Sequence, residues 1–186
     1  NDSTVLRTVE DGRALLSLCF LEFCVKVRND DPSILPELAY DDPLRIRCLS
    51  ENEGMELADA LLKNTNVTYL QLRTEKYTKS SAEAMAKYVR TSKRLQRIHW
   101  PRDARSREQR EEMICFFLHA FQESTSLKEL HLDWPLIGGP SNLAFENMLT
   151  HTQSLRSLSL IFPAGRPDDI SVAAARSGLE KNTTLR

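Results

Sequence analysis

The chain has 186 residues, of which 41% are hydrophobic and 27% are charged, and its net charge at pH 7 is −1. These values are typical of a soluble globular protein and exclude a disordered chain. The longest apolar stretch, residues 14–27, is too short to span a bilayer, so we expect no membrane insertion. The balance of 25 Lys and Arg against 26 Asp and Glu argues against nucleic acid as the main ligand.

The four cysteines form no C-x-x-C pair and lie among apolar residues. Buried free thiols in a reducing compartment are the expectation from this pattern. We expect no signal peptide, because the first residues are acidic and lack a basic segment and a cleavage site. We therefore expect the cytoplasm or another reducing intracellular compartment.

Residues 1–40 are predicted to form an N-terminal helical cap and a linker. A strongly apolar helix is expected from about Ser3 to Arg28, and the breaker cluster Asn29-Asp30-Asp31-Pro32 ends it. A stack of repeats exposes apolar core at its end, so a cap there would keep it soluble. A dimerisation or partner-docking helix is the alternative.

From residue 41 to 186 the sequence repeats, with about five units, the last of them truncated. Four segments follow the pattern Leu-x-x-Leu-x-Leu, starting at Val67, Leu95, Leu127 and Leu155, and a fifth opens at Leu185. The spacings are 28, 32, 28 and 30 residues. Each segment is predicted to be a strand whose alternate side chains point inward, and residues 43–48 are predicted to be an earlier strand of the same kind.

Helices are predicted between the strands, because further columns recur in register. Apolar residues stand ten and six positions before each strand segment, four apart and therefore on one helix face. The first of these two columns is Leu57, Met85, Phe117, Phe145 and Ala175, and the second is Leu61, Val89, Phe121, Leu149 and Leu179. Short polar residues suited to turns stand three positions before each segment, at Asn64, Ser92, Ser124, Thr152 and Asn182. Capping boxes beginning at Ser50, Ser80 and Ser106 predict three of the helix starts.

These features resemble the ribonuclease-inhibitor type of leucine-rich repeat, an intracellular class. The segments 53–65 and 178–185 carry the resemblance best. It implies an α/β fold, namely a right-handed leucine-rich repeat solenoid with a curved parallel sheet inside, helices outside and an N-terminal capping helix. One column departs from the family, which usually places Asn or Cys three residues after the last strand leucine. This chain has Glu75, Asp103, Pro135 and Pro163 there.

The outward side chains of the strands would line the concave face, where most proteins of this family bind partners. The candidate partner-binding residues are Arg45, Arg47, Tyr69, Gln71, Arg73, Arg97, His99, Glu129, His131 and Asp133. The arginines among them form a predicted basic quadrant, and arginine suits bidentate contacts with carboxylates. A protein with an acidic surface is therefore the expected partner.

Chemistry other than binding has little support in the sequence. His99 and His131 are expected to be neighbours across the sheet, but two histidines without a fixed third ligand make a weak metal site. No catalytic constellation or phosphate-binding glycine loop is present, so we expect a protein that is not an enzyme and has no cofactor. The function that fits best is a scaffold or recognition domain. The alternatives are a regulator of a small GTPase, using an arginine such as Arg102, Arg105 or Arg107, and the sensing domain of an immune-type receptor.

Overall fold

The structure is a computed structural model that describes residues 20–31, 44–47, 51–73, 77–100, 107–133, 140–161 and 169–185. The strands are β1 (Leu44–Arg47), β2 (Tyr69–Arg73), β3 (Arg97–Trp100), β4 (Glu129–Asp133) and β5 (Ser157–Ile161). The helices after them are α2 (Glu51–Lys63), α3 (Lys79–Thr91), α4 (Arg107–Glu123), α5 (Pro140–His151) and α6 (Asp169–Lys181). An earlier helix, α1, is described over residues 20–28. The predicted α/β class is confirmed.

All five strands belong to one parallel sheet in the order β1-β2-β3-β4-β5. Each helix from α2 to α5 contacts the helix that follows it. Neighbours in sequence are thus neighbours in space throughout. None of the described helices is long and apolar enough to cross a membrane.

The strands begin two residues later than the apolar pattern predicts. Val67, the first apolar residue of its segment, is buried, but its N–H donates to Oδ1 of Asn64 at 2.7 Å. That donor is therefore not available to a neighbouring strand. Contact between successive strands starts just after it, where the N–H of Gln96 donates to the carbonyl of Thr68 at 2.8 Å.

The core lies between the inward side chains of the sheet and the predicted helix columns. Leu70, Ile98 and Leu130 are buried side by side in the sheet. Trp100 lies edge-on against Phe117 and Phe121 of α4, with ring centroids 5.0 and 5.9 Å away. The predicted inward strand columns and the helix columns therefore meet in one cluster.

The turns between helices and strands are joined by hydrogen bonds from side chains to carbonyl oxygens one unit earlier. These are Asn64 Nδ2 to Val27 (2.6 Å), Ser126 Oγ to Ser92 (2.7 Å), Ser154 Oγ to Ser124 (2.6 Å), Asn182 Nδ2 to Leu149 (2.5 Å) and Thr184 Oγ1 to Thr152 (3.1 Å). The polar column predicted for the turns thus also links consecutive units, because carbonyls left free at a helix end need a donor.

The described part of α1 packs on the first repeated unit. Cys24 and Val27 are buried in the common core. The guanidinium of Arg28 donates to Asp59 at 2.9 Å, and the Asp30 carboxylate accepts from the N–H of Thr65 at 2.9 Å. Asp30 has φ 53°, a left-handed conformation that aspartate tolerates better than most residues. The predicted helix end at Arg28 is confirmed, and the predicted start at Ser3 lies outside the described residues.

Two of the three predicted helix starts agree with the structure. Helices α2 and α4 begin at Glu51 and Arg107, one residue after the predicted caps at positions 50 and 106, which lie outside the described residues. The prediction for α3 was wrong. Its N-cap is Thr78, whose N–H donates to Oγ of Ser81 at 2.9 Å. A threonine and a serine three apart satisfy that helix end, although the Ser80-x-x-Glu83 pattern had indicated a later start.

Candidate interaction surface

Alternate residues of the strands form rows that run across the sheet. In the middle row Arg45 pairs in register with Gln71, Gln71 with His99, His99 with His131, and His131 with Ser159. Tyr69, Arg97, Glu129 and Ser157 form the row on one side of it. On the other side Arg47 pairs with Arg73, and Asp133 pairs with Ile161. We call these rows the sheet face, and its register is the one that the sequence predicts.

Two contacts organise the centre of the sheet face. Nε of Arg97 lies 3.0 Å from Oε2 of Glu129, and the same guanidinium stands over the Tyr69 ring at 6.0 Å from its centroid. Nε2 of Gln71 lies 3.3 Å from Nδ1 of His99. These side chains are all half-buried. Each of these side chains therefore has part of its surface exposed to a partner, and contact with a neighbouring side chain fixes its position.

Of the predicted basic quadrant, the structure describes only the side chain of Arg97. Arg97 is neutralised by Glu129 in an ion pair between adjacent strands. The backbones of Arg45, Arg47 and Arg73 lie on β1 and β2, but their side chains are outside the described part of the structure, as is that of Asp133. The quadrant and its acidic partner therefore stay a prediction for the sheet face.

The His99 and His131 pair lies in register on β3 and β4, as expected. Within the described ranges, no group of three or more His, Cys, Asp or Glu side chains is placed to hold a metal ion. The two described cysteines are free thiols, and burial raises the pKa of Cys24 to about 12 and raises that of Cys115 as well. A thiol with a raised pKa stays protonated near neutral pH and is a poor nucleophile.

A second surface lies where the chain passes from each helix into the next strand. We call it the strand-start edge, formed by the exposed side chains of Lys93, Arg94, Lys128 and Arg156. The sequence interpretation did not select these residues. The sequence contains a pattern that could have indicated two of them. Lys128 and Arg156 occupy the same position in successive units, directly after the first apolar residue of the repeat pattern.

Grooves open between consecutive turns along this edge. One, of about 280 Å³, is lined by Lys93 and Arg94 together with Asn64 and Thr65 of the preceding turn. A larger groove, of about 570 Å³, is lined by Lys128, Arg156 and His151, together with hydroxyl and amide side chains. Its one carboxylate, Glu123, is paired with Arg90 at 3.3 Å. The grooves thus combine cations with hydrogen-bonding groups.

Comparison with known proteins shows the fold. No protein-family model matches the sequence, and no curated protein sequence matches it significantly. The solved structures that are similar to this chain include two with a TM-score of 0.56 each. The actin-binding site 2 of leiomodin-1 is 18% identical, covering 86% of this chain and 89% of that chain. The tropomodulin C-terminal domain of Caenorhabditis elegans is 15% identical, covering 87% and 92%.

This finding corrects the resemblance inferred from the repeat pattern. The identification as a ribonuclease-inhibitor-like leucine-rich repeat solenoid was wrong, since the similar structures are the leiomodin and tropomodulin domains. The Leu-x-x-Leu-x-Leu spacing reports only that alternate strand residues face a helix layer, which many parallel α/β arrangements require. The column that departs from the family, at Glu75, Asp103, Pro135 and Pro163, was the more specific signal, and it lies outside the described residues.

Proposed function

We propose that this chain is a non-enzymatic protein-binding domain whose partner lies on the sheet face. The observation that carries the proposal is the register of the strands, which aligns alternate residues of successive strands into rows whose neighbouring members are about 4.8 Å apart. Rows of this kind form one continuous surface from short, separate segments of sequence.

The chemistry of the sheet face suits a protein partner. Tyr69 and Arg97 belong to the residue types that are enriched at the centres of protein interfaces. The Arg97–Glu129 pair and the Gln71–His99 contact hold donors and acceptors in fixed positions, so that less conformational entropy is lost on binding. A partner with hydrogen-bonding groups and an acidic patch fits this surface.

Actin is the first partner to test. One of the similar solved structures is the actin-binding site 2 of leiomodin-1, and the similarity covers most of this chain. At 18% identity that likeness supports actin only as a candidate. No observation favours the alternatives of a GTPase regulator or an immune-type sensing domain. Arg102 and Arg105 lie outside the described residues, and the side chain of Arg107 is not described.

We also propose the division of the chain into a cap and linker, residues 1–40, and a repeated domain, residues 41–186. The contacts of Val27, Arg28 and Asp30 with the first unit support a capping role for α1. A docking role for that helix would leave its apolar face free in the unbound chain.

The test is co-sedimentation with actin filaments, compared for the wild type and a Tyr69→Ala/Gln71→Ala/His131→Ala variant. We expect the wild type to pellet with actin and the variant to stay in the supernatant. Lys87→Gln, an exposed change on α3, is the control and should pellet like the wild type. Equal pelleting of variant and wild type would exclude the sheet face, and a wild type that stays in solution would exclude filamentous actin as the partner.

A further inference from the structure

Most of the described lysine and arginine side chains form ion pairs with carboxylates. The paired ones are Lys26, Arg28, Lys63, Lys79, Arg90, Arg97 and Lys181. Among the cations whose side chains the structure describes, only Lys87, Lys93, Arg94, Lys128, Arg156 and Arg176 have no carboxylate partner. Four of these six form the strand-start edge, so the unpaired positive charge among the described side chains is concentrated there.

The four cations lie in three consecutive turns that are hydrogen-bonded to each other. The N–H of Lys128 donates to the carbonyl of Gln96 at 2.7 Å, two residues after Arg94, and the N–H of Arg156 donates to the carbonyl of Lys128 at 2.8 Å. Successive strands of a sheet are about 4.8 Å apart, so the backbone positions that carry these cations are close neighbours across the three turns. Like charges on neighbouring turns repel at low ionic strength, and an anionic partner would relieve this.

We infer that the strand-start edge binds an acidic, extended segment of a partner protein. Lys128 and Arg156 border the larger groove and Lys93 and Arg94 the smaller one, so carboxylates spaced along a peptide can meet one or two cations per turn. The exposed side chains of Thr125 and Gln153 in the larger groove offer further hydrogen bonds to the peptide. Glu123 does not oppose this binding, because Arg90 already compensates its charge.

The size of the edge favours a peptide over nucleic acid. Nucleic-acid binding by phosphate contacts typically uses six to ten cations, about twice the number at this edge, in a domain with a strongly basic balance. This chain has a net charge of −1. The edge and the sheet face are separate sets of residues, so the inference is independent of the binding proposed for the sheet face.

The test measures binding of a fluorescein-labelled ten-residue polyglutamate peptide by fluorescence anisotropy. The edge variant is Arg94→Gln/Lys128→Gln. Its matched control is Arg176→Gln/Lys87→Gln, which also removes one exposed, unpaired arginine and one exposed, unpaired lysine. We expect the edge variant to bind about five- to tenfold more weakly, since one exposed charge contact changes affinity by up to about fivefold. The control should change it less than about twofold.

Circular dichroism confirms that each variant is folded, and the sheet-face variant should keep wild-type affinity for the peptide. Raising the salt concentration should lower the peptide affinity of the wild type more than that of the edge variant, because the variant has fewer charges to be screened. The inference is overturned if the wild type does not bind the peptide, if the control loses as much affinity as the edge variant, or if single-stranded DNA of equal charge or anionic vesicles bind more tightly than the peptide.

Discussion

The first and last units of the stack have the same apolar pattern but differ in what covers it. Leu61 of α2 and Leu179 of α6 occupy the same column, yet Leu61 is 1% exposed and Leu179 is 44% exposed. At the start, α1 lies on one side of α2 and α3 on the other. Within the described residues, α6 has a helix only on the α5 side. The contribution of a repeated residue therefore depends on its neighbouring units more than on its own identity.

The polar turns do not show this difference. Asn64 and Asn182 both donate to a carbonyl of the preceding helix, and Oδ1 of both accepts N–H groups of its own turn. Each asparagine donates its hydrogen bond to the preceding unit, so this bond forms whether or not another unit follows. Comparison of the two ends thus distinguishes the turn hydrogen bonds, which are made with the previous unit, from the burial of the leucine column, which also depends on the next unit.

Replacing the paired leucines should show the largest contrast. Leu61→Ala should lower the free energy of unfolding by about 2–5 kcal/mol, because it leaves a cavity in a packed core. Leu179→Ala should lower it by less than about 1 kcal/mol, because that side chain is already partly in water. Urea denaturation of both variants measures the two values.

Leu149→Ala is the reference, since Leu149 lies in the same column within the stack and is fully buried. If α1 covers the start of the stack, Leu61→Ala should match Leu149→Ala. A Leu61→Ala variant that unfolds like Leu179→Ala would show that the start is as open as the end.

Glycines at both ends give a second, smaller contrast. A Cβ at Gly54 would lie 2.7 Å from Cβ of Ser81, and one at Gly178 would lie 2.6 Å from Cβ of Leu149, so each glycine allows two helices to approach closely. Helix α2 is packed between α1 and α3, whereas within the described residues α6 is packed on α5 alone and so has more room to adjust to an added methyl group. Gly54→Ala should therefore cost about 1–3 kcal/mol of overpacking, and Gly178→Ala under about 1 kcal/mol, as measured by thermal unfolding. Equal costs would mean that α6 is held as firmly as α2.

Much of this fold follows from the sequence, because it depends on periodic residues. The register of β2 to β5 and the buried columns of α2 to α5 were predicted residue by residue, since a period-two strand and a four-residue helix spacing allow one alignment. The same reasoning could not tell that Leu179 is exposed. Burial there depends on whether another unit packs against the helix, and the column itself contains no such information.

The candidate surfaces were harder to predict, because charge pairing is a property of three-dimensional neighbours. Arg97 was predicted to belong to a basic quadrant, but it forms an ion pair with Glu129, which is 32 residues away in sequence and adjacent in the sheet. Lys128 and Arg156 were overlooked although their position repeats. Their importance becomes visible only once the other cations are seen to be paired. The family resemblance failed for a related reason, since its apolar spacing describes packing and not ancestry.

The thiol at the covered end gives the smallest of the expected contrasts, and it depends on pH. Burial raises the pKa of Cys24 to about 12 from an ordinary value of 9.0. The folded state therefore keeps the proton to higher pH than the unfolded state, and the stabilisation is complete below pH 9 and is lost as pH rises toward 12. The loss can be at most about 1.4 kcal/mol per pH unit. In Cys24→Ala this dependence should be absent, so urea midpoints of the two proteins should converge between pH 8 and pH 10.5. Parallel midpoints over that range would show that the thiol is accessible to water, and that α1 does not cover the first unit.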